Sequence, residues 1–223
     1  MNLSEIKQSI SQQPYYEDEN GLLYNADCLD IMKQLPDKCV DLVLTDPPYG
    51  IGISRNPVRQ RFNKSDWDKS APTKEYFDNM LRIGINQIIW GGNYFSEYLR
   101  SSKHFLVWNK LQPEDFTLGM CEMAWSSLDK PAKMFTQSVQ VEGNPFHPTQ
   151  KPVALMQWCL ENYSKQGDTV LDPYLGSGTT AVACYRTRRN YIGIEISKDY
   201  CDIAVKRIKA EKDKMALFNG VNK

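Results

Sequence analysis

The chain has 223 residues, with 27 Lys and Arg balanced by 27 Asp and Glu. That length supports one well-filled core, and a composition of 41% hydrophobic and 24% charged residues excludes a disordered, collagen-like or coiled-coil chain. A formal net charge of zero excludes binding of nucleic acid by bulk positive charge, so any site for a polyanion has to be a local patch.

Residues 1–20 are polar and end in Glu17-Asp18-Glu19, which reads as a short helix or arm outside the core. Leu22–Asn25 is a short strand, and Leu29, Met32 and Leu35 mark a short amphipathic helix stopped by Pro36. Val40-Asp41-Leu42-Val43-Leu44-Thr45 is a β-branched and aliphatic strand of the kind buried on both faces of a parallel sheet. Residues 51–72 lose all periodicity. This long loop carries Arg55, Arg59, Arg61, Lys64 and Lys69 against Asp66 and Asp68, with Phe62 and Trp67 interleaved. Thr73 is placed to cap a helix bearing Tyr76, Phe77, Met80, Leu81 and Ile85, and Gln87–Trp90 follows as a strand. His104–Trp108 and Cys121–Trp125 are further strands, and residues 126–151 are irregular. Pro152 opens a helix to about Ser164, Thr169–Leu171 is a strand, and Gly178–Arg186 a helix. Tyr191–Ile194 is the last strand, and Ser197 caps a charged terminal helix whose Lys198–Lys214 face is expected in solvent. Alternation of this kind predicts a single domain of the α/β class built on a doubly wound, mostly parallel sheet.

The six cysteines contain no C-x-x-C pair and the chain has two histidines, so neither a metal site nor a disulfide framework is legible and a reducing cytoplasm is expected. The first residues lack a basic segment followed by an apolar one. No apolar run approaches the roughly 20 residues that span a bilayer, so no membrane partner is expected.

Two segments carry the chemistry. Asp172-Pro173-Tyr174-Leu175-Gly176-Ser177-Gly178-Thr179-Thr180 joins a buried strand to a helix through small residues that let backbone approach a ligand. Glu195, at the end of the next strand, stands where a nucleotide fold keeps its ribose-binding carboxylate. The loop is neither G-x-G-x-x-G nor a P-loop, so a pyrophosphate is not the expected guest; taken alone it also reads as an ordinary tight turn. Asp46-Pro47-Pro48-Tyr49 lies at the carboxyl end of the strand Val40–Thr45, where open α/β sheets bind ligands. The prolines hold the chain extended and donate nothing, Asp46 offers a carboxylate and Tyr49 an aromatic plane. The set suits a planar molecule with an amino group, and by itself serves equally as a rigid turn.

These two segments and His147-Pro148-Thr149-Gln150-Lys151-Pro152 between them resemble, over roughly residues 21–210, the β group of amino-methyltransferases. Those enzymes are S-adenosylmethionine-dependent and methylate adenine N6 or cytosine N4 in DNA. The resemblance implies a Rossmann-like methyltransferase fold in circularly permuted motif order. It also implies a target base flipped out of the duplex. In that family's pattern Tyr49 stacks on the base, while Asp46 and the Pro47 carbonyl accept from its amino group, with Pro48 completing the catalytic motif. Asp172, Tyr174, Gly176, Ser177 and Gly178 are implied to hold the methionine part of the cofactor, and Glu195 its ribose. Asp27 is implied for the adenine, with Cys28 next to it also at the cofactor, and Thr149 and Lys151 for the carboxylate. His147 is expected to be structural.

Only residues 126–146 are available for the separate target-recognition region that long-site members carry. The loop 51–72, with Arg55, Arg59, Arg61 and Lys64, therefore stands either as a phosphate-binding surface beside the base pocket or as a plain solvated loop. The resemblance also implies that Asp rather than Ser at position 46 favours adenine N6 over cytosine N4. DNA is the expected partner, an RNA adenine target and a non-catalytic binding subunit remain alternatives, and the oligomeric state stays open.

Overall fold

The computed structural model describes residues 1–50, 71–113, 119–138 and 150–221. Its strands are β1 Tyr16–Asp18, β2 Gly21–Asn25, β3 Val40–Thr45, β4 Gly84–Trp90, β5 Phe105–Asn109, β6 Cys121–Ser126, β7 Lys133–Thr136, β8 Thr169–Asp172 and β9 Asn190–Glu195. The helices are α1 Leu3–Gln8, α2 Cys28–Met32, α3 Lys74–Ile83, α4 Val153–Tyr163, α5 Thr179–Thr187 and α6 Lys198–Val221.

All the strands join one sheet in the order β1-β2-β9-β8-β3-β4-β6-β5-β7. The central block β2-β9-β8-β3-β4 is parallel throughout, as its apolar runs require. Antiparallel β1 extends it on one side, and β6 and β5 extend it on the other. Side chains alternate between two cores. Leu42, Leu44, Ile88 and Val170 pack with Leu155, Ala181 and Ile208 of α4, α5 and α6. Val43, Ile89, Leu171 and Ile192 pack with Ile6, Ile31 and Phe77 of α1, α2 and α3. Helix α5 lies between α4 and α6 and is buried on almost every side, which explains its small, apolar sequence.

The chain leaves β3 toward β4 on one side of the sheet and leaves β8 toward β9 on the other. The crevice at the carboxyl ends of β3 and β8 is therefore the topological switch point, where such sheets bind ligands.

Several sequence expectations change. Residues 1–20 are not outside the core: Ile6 and Ile10 are buried in it, and β1 pairs with β2. Apolar residues in a polar segment are the signal: Ile6 docks the short helix α1, and Ile10 anchors the chain just after it. Residues 126–151 are not wholly irregular, since β7 adds to β5 in parallel with three of its four residues exposed, a pattern with no apolar alternation to read. Ile85 leaves the expected helical face because Gly84 starts β4; Ile83 takes the buried position instead. On α6 the expected solvated face is interrupted by Arg207, which turns inward to the glycine-rich loop, and by Glu211, buried in an ion pair with Arg186.

Candidate active site

Asp172, the last residue of β8, ties the switch point together. Its Oδ1 accepts from the Thr45 hydroxyl at the end of β3 (2.7 Å) and from the Tyr174 N–H (3.1 Å), and its Oδ2 accepts from the Thr180 hydroxyl of α5 (2.6 Å). Burial pushes this carboxyl up to about 6, against the pull of those donors. At the end of β9, Glu195 accepts from the Gly176 N–H (2.9 Å) and the Ser197 N–H (2.8 Å), and burial raises it too. The loop between β8 and α5 is thus held by carboxylates at two strand ends. From α6, Arg207 donates to the Ser177 carbonyl (2.7 Å) and the Thr179 hydroxyl (3.2 Å), while Ser177 Oγ donates to Gln150 (3.0 Å). Gly178 sits at φ +87°, and a Cβ there would lie 2.9 Å from that of Ala204, so only glycine lets the loop close onto α6.

A cavity of about 530 Å³ opens at this crevice, lined by Asp27, Asp46, Lys151, Asp172, Gly176 and Glu195 among others. Among the described residues its charged lining is four carboxylates and one ammonium, a donor set that suits a cation. Apolar Ala26, Leu175 and Ile196 line it as well. A Cβ on Gly176 would meet nothing within 4 Å, so the loop backbone borders open space. These features fit S-adenosylmethionine, a sulfonium cation with an apolar body and ribose hydroxyls that need acceptors. Asp27 caps α2 by accepting from the Leu29 N–H (2.8 Å), and the Tyr76 hydroxyl stands 3.3 Å from both its oxygens. Beside it, burial pushes the Cys28 thiol up to about 12, so no thiolate is available for covalent chemistry.

At the other end of the cavity lies Asp46. Its Oδ1 accepts from the Tyr49 hydroxyl (2.6 Å) and its Oδ2 from Lys151 Nζ (2.5 Å). Lys151 also contacts Glu122 (2.8 Å), which in turn pairs with Lys110 (2.5 Å). Burial raises Asp46, Lys151 lowers it and Glu122 raises it, with burial the strongest of the three. Burial would also raise Glu122, but Lys151 and Lys110 outweigh it and hold that carboxyl at about 2. Burial keeps the Tyr49 phenol protonated, hence a donor. The Tyr49 ring stacks on Tyr94, with centroids 4.9 Å apart, and fits against Gly91, where a Cβ would lie 2.2 Å from the ring and φ is +70°.

The structure therefore brings Asp46, Pro48, Asp27, Cys28, Lys151, Asp172, Tyr174, Gly176, Ser177 and Glu195 to one cavity. Tyr49 adjoins it through Asp46, Gly178 opens α5 behind it, and Pro47 is buried. Lys151, expected on the cofactor carboxylate, has its buried ammonium committed to Asp46 and Glu122, because two adjacent carboxylates outcompete solvent for it. Thr149, His147, Arg55, Arg59, Arg61 and Lys64 lie outside the described residues. Sequence reasoning missed Glu122, Lys110 and Arg207. A glutamate inside the apolar run Cys121–Trp125 was the available signal for the first.

Comparison with known proteins agrees with this geometry. Residues 98–206 match the family model of the N6 and N4 amino-methyltransferases, described as DNA methylase. The type II methyltransferase M2.LlaDCHI of Lactococcus lactis subsp. cremoris is 26% identical, with 89% of this chain and 93% of that protein covered. Among solved structures, the M1.HpyAVI complex with S-adenosylmethionine is 26% identical with a TM-score of 0.57, covering 84% of this chain and 98% of the other. The cytosine-N4-specific PvuII DNA methyltransferase shares the fold, with a TM-score of 0.66 at 15% identity over 92% of this chain and 94% of the other. Fold and site define an S-adenosylmethionine-dependent methyltransferase of the Rossmann-like class. Within that class, residues 98–206 match the amino-methyltransferase family that this model describes, and the type II methyltransferase above is similar over most of the chain.

Proposed function

We propose that the protein transfers the methyl group of S-adenosylmethionine to N6 of an adenine flipped out of DNA. The observation that carries this reading is the placement of Asp46 on the same cavity as the glycine-rich loop, at the switch point between β3 and β8. Bound along that loop, the cofactor supplies an electrophilic methyl group. Glu195 and Asp27 are the acceptors for its ribose and adenine, and Gly176, Ser177 and Asp172 border its methionine part. Asp46 and the Pro47 carbonyl accept from the exocyclic amino group, which aims the nitrogen lone pair at the methyl and favours the positive charge that develops there. Tyr49 offers its ring to the base. The chain order of the motifs, with Asp46 ahead of the glycine-rich loop, corresponds to a circularly permuted arrangement.

The base assignment rests on a carboxylate rather than a hydroxyl at position 46. Digestion of DNA methylated by the protein should release N6-methyladenine; N4-methylcytosine in its place overturns the assignment. Arg55, Arg59, Arg61 and Lys64 are proposed to hold phosphates beside the base pocket. Neutralising the three arginines should weaken DNA binding and reduce the slope of log K against log salt by roughly 0.9 per lost contact. An unchanged slope returns the segment to a plain surface loop.

A further inference from the structure

We propose that Glu122 is a positioning residue for methyl transfer: it draws the Lys151 ammonium off Asp46, so that an Asp46 oxygen becomes available to the substrate's amino group. This rests on Asp46 being the acceptor for that group. The geometry behind it is one buried ammonium shared between two carboxylates, 2.5 Å from Asp46 Oδ2 and 2.8 Å from Glu122 Oε2. The Lys151 side chain is 4% exposed. Asp46 Oδ1 already takes the Tyr49 hydroxyl, so each oxygen of the proposed acceptor holds a donor before any substrate arrives.

A buried ammonium cannot simply leave its partner for water, because an uncompensated charge in the interior is expensive. Glu122 removes that obstacle. Lys151 shifts from one anion to another that it already touches, and the salt bridge is exchanged rather than broken. Lys110, 2.5 Å from Glu122 Oε1, sets how strongly Glu122 competes, since it is the second cation on the same carboxylate. The Tyr49 hydroxyl, 3.5 Å from Glu122 Oε2, closes the ring of contacts. Two anions and two cations make the cluster neutral, so movement of Lys151 within it changes no net charge.

Among the described residues, the groups facing Asp46 are Tyr49 after β3, Lys151 before α4, Glu122 on β6 with Lys110 behind it, Tyr94 stacked on Tyr49, and Asp172 at the end of β8. Asp46 accepts fully only when ionised, so activity falls on the acid side as it protonates. Glu122→Gln removes a neighbouring anion and leaves Lys151 wholly to Asp46. Its acid limb moves to lower pH, and its plateau rate drops roughly tenfold to a hundredfold, as expected of a misplaced catalytic group. Lys110→Met frees Glu122 to take Lys151, and its acid limb moves to higher pH.

The test measures single-turnover transfer of tritiated methyl from S-adenosylmethionine to genomic DNA from cells lacking DNA methylation, across the acid range. Cofactor binding to each variant is measured by calorimetry. Opposite shifts of the two limbs, with cofactor affinity kept, support the proposal. Limbs that stay in place or move together overturn it, even where the plateau falls. If Glu122→Gln does not fold, Lys110→Met decides alone: a limb moved upward supports, an unmoved or lowered limb overturns. Asp46→Ala in the same assay separates the two levels. Retained turnover there removes the assignment of Asp46 and this inference with it, whereas a dead Asp46→Ala beside a wild-type-like Glu122→Gln removes only the role of Glu122.

Discussion

The two ends of the cavity are built on different electrostatic plans. Around the glycine-rich loop, buried Asp172 and half-buried Glu195 are held by hydroxyls and backbone N–H groups, and among the described residues no ion pair reaches either. Around Asp46, full charges of both signs neutralise one another through Lys151, Glu122 and Lys110. The first plan leaves negative potential unspent for a sulfonium cation. On the proposed reading the second holds an acceptor in reserve, since its charges are already matched and have to be rearranged before a substrate is bound. Binding and chemistry, on that same reading, reside in separable parts of one crevice, and variants at each end should fail in different ways.

The largest effect is expected at the neutralised end. Asp46→Ala should lower methyl transfer roughly a hundred- to a thousandfold or more, the scale of losing a group matched to transition-state charge. Cofactor affinity should stay near wild type. The fold should tolerate the change, because Lys151 keeps Glu122 as a counter-ion and no buried charge is orphaned. Rate and cofactor binding, measured on the same preparation, check both halves; near-normal turnover would remove Asp46 from the chemistry.

Two glycines test the other end. Both have positive φ, +54° at Gly176 and +87° at Gly178, but a Cβ on Gly176 meets open cavity while one on Gly178 meets Ala204 at 2.9 Å. Gly178→Val should therefore lose about 2–4 kcal/mol of stability from overpacking and backbone strain together. Gly176→Val should lose less stability and more cofactor affinity, because its side chain projects into the ligand's space. Thermal unfolding beside cofactor titration separates the two, and equal losses of stability at both positions would contradict the geometry.

This contrast also explains what could be read without coordinates. The loop end was legible because its parts are contiguous in sequence: a strand, Asp172, small residues and a helix, with Glu195 one strand later. The parallel block was legible for a related reason, since strands buried on both faces must be continuously apolar. Glu122 and Lys110 were not, because they reach Asp46 from β6 and the end of β5, and only the order β3-β4-β6-β5 brings them near. Segment order predicts which strands exist far better than which stand side by side. Residues 1–20 were misjudged for a different reason: mean polarity concealed Ile6 and Ile10, and an average cannot reveal a two-residue anchor.

The smallest expected effect carries the most direct reading of the difference between the two ends. Asp172 is raised from its usual range to about 6 chiefly by burial, so its charge costs the native state free energy that its hydroxyl and N–H donors recover only in part. The folded protein then binds a proton on Asp172 more readily than the unfolded chain. This group's penalty is full above about pH 6 and disappears as pH falls from there toward the ordinary carboxylate value. Asp172→Asn keeps an acceptor for Thr45 and the Tyr174 N–H, lets the Thr180 hydroxyl rotate to accept, and removes the charge. It should raise stability at neutral pH by up to about 3 kcal/mol, the equivalent of the shift in pKa, and the gain should shrink in mild acid. Cofactor affinity should fall modestly at neutral pH, because one of the four carboxylates facing the cation is gone. Unfolding temperatures of wild type and variant at neutral and mildly acid pH check the first part. A variant no more stable at neutral pH, or a gain that does not change with pH, would mean that the hydroxyl and N–H donors already offset the burial of this charge.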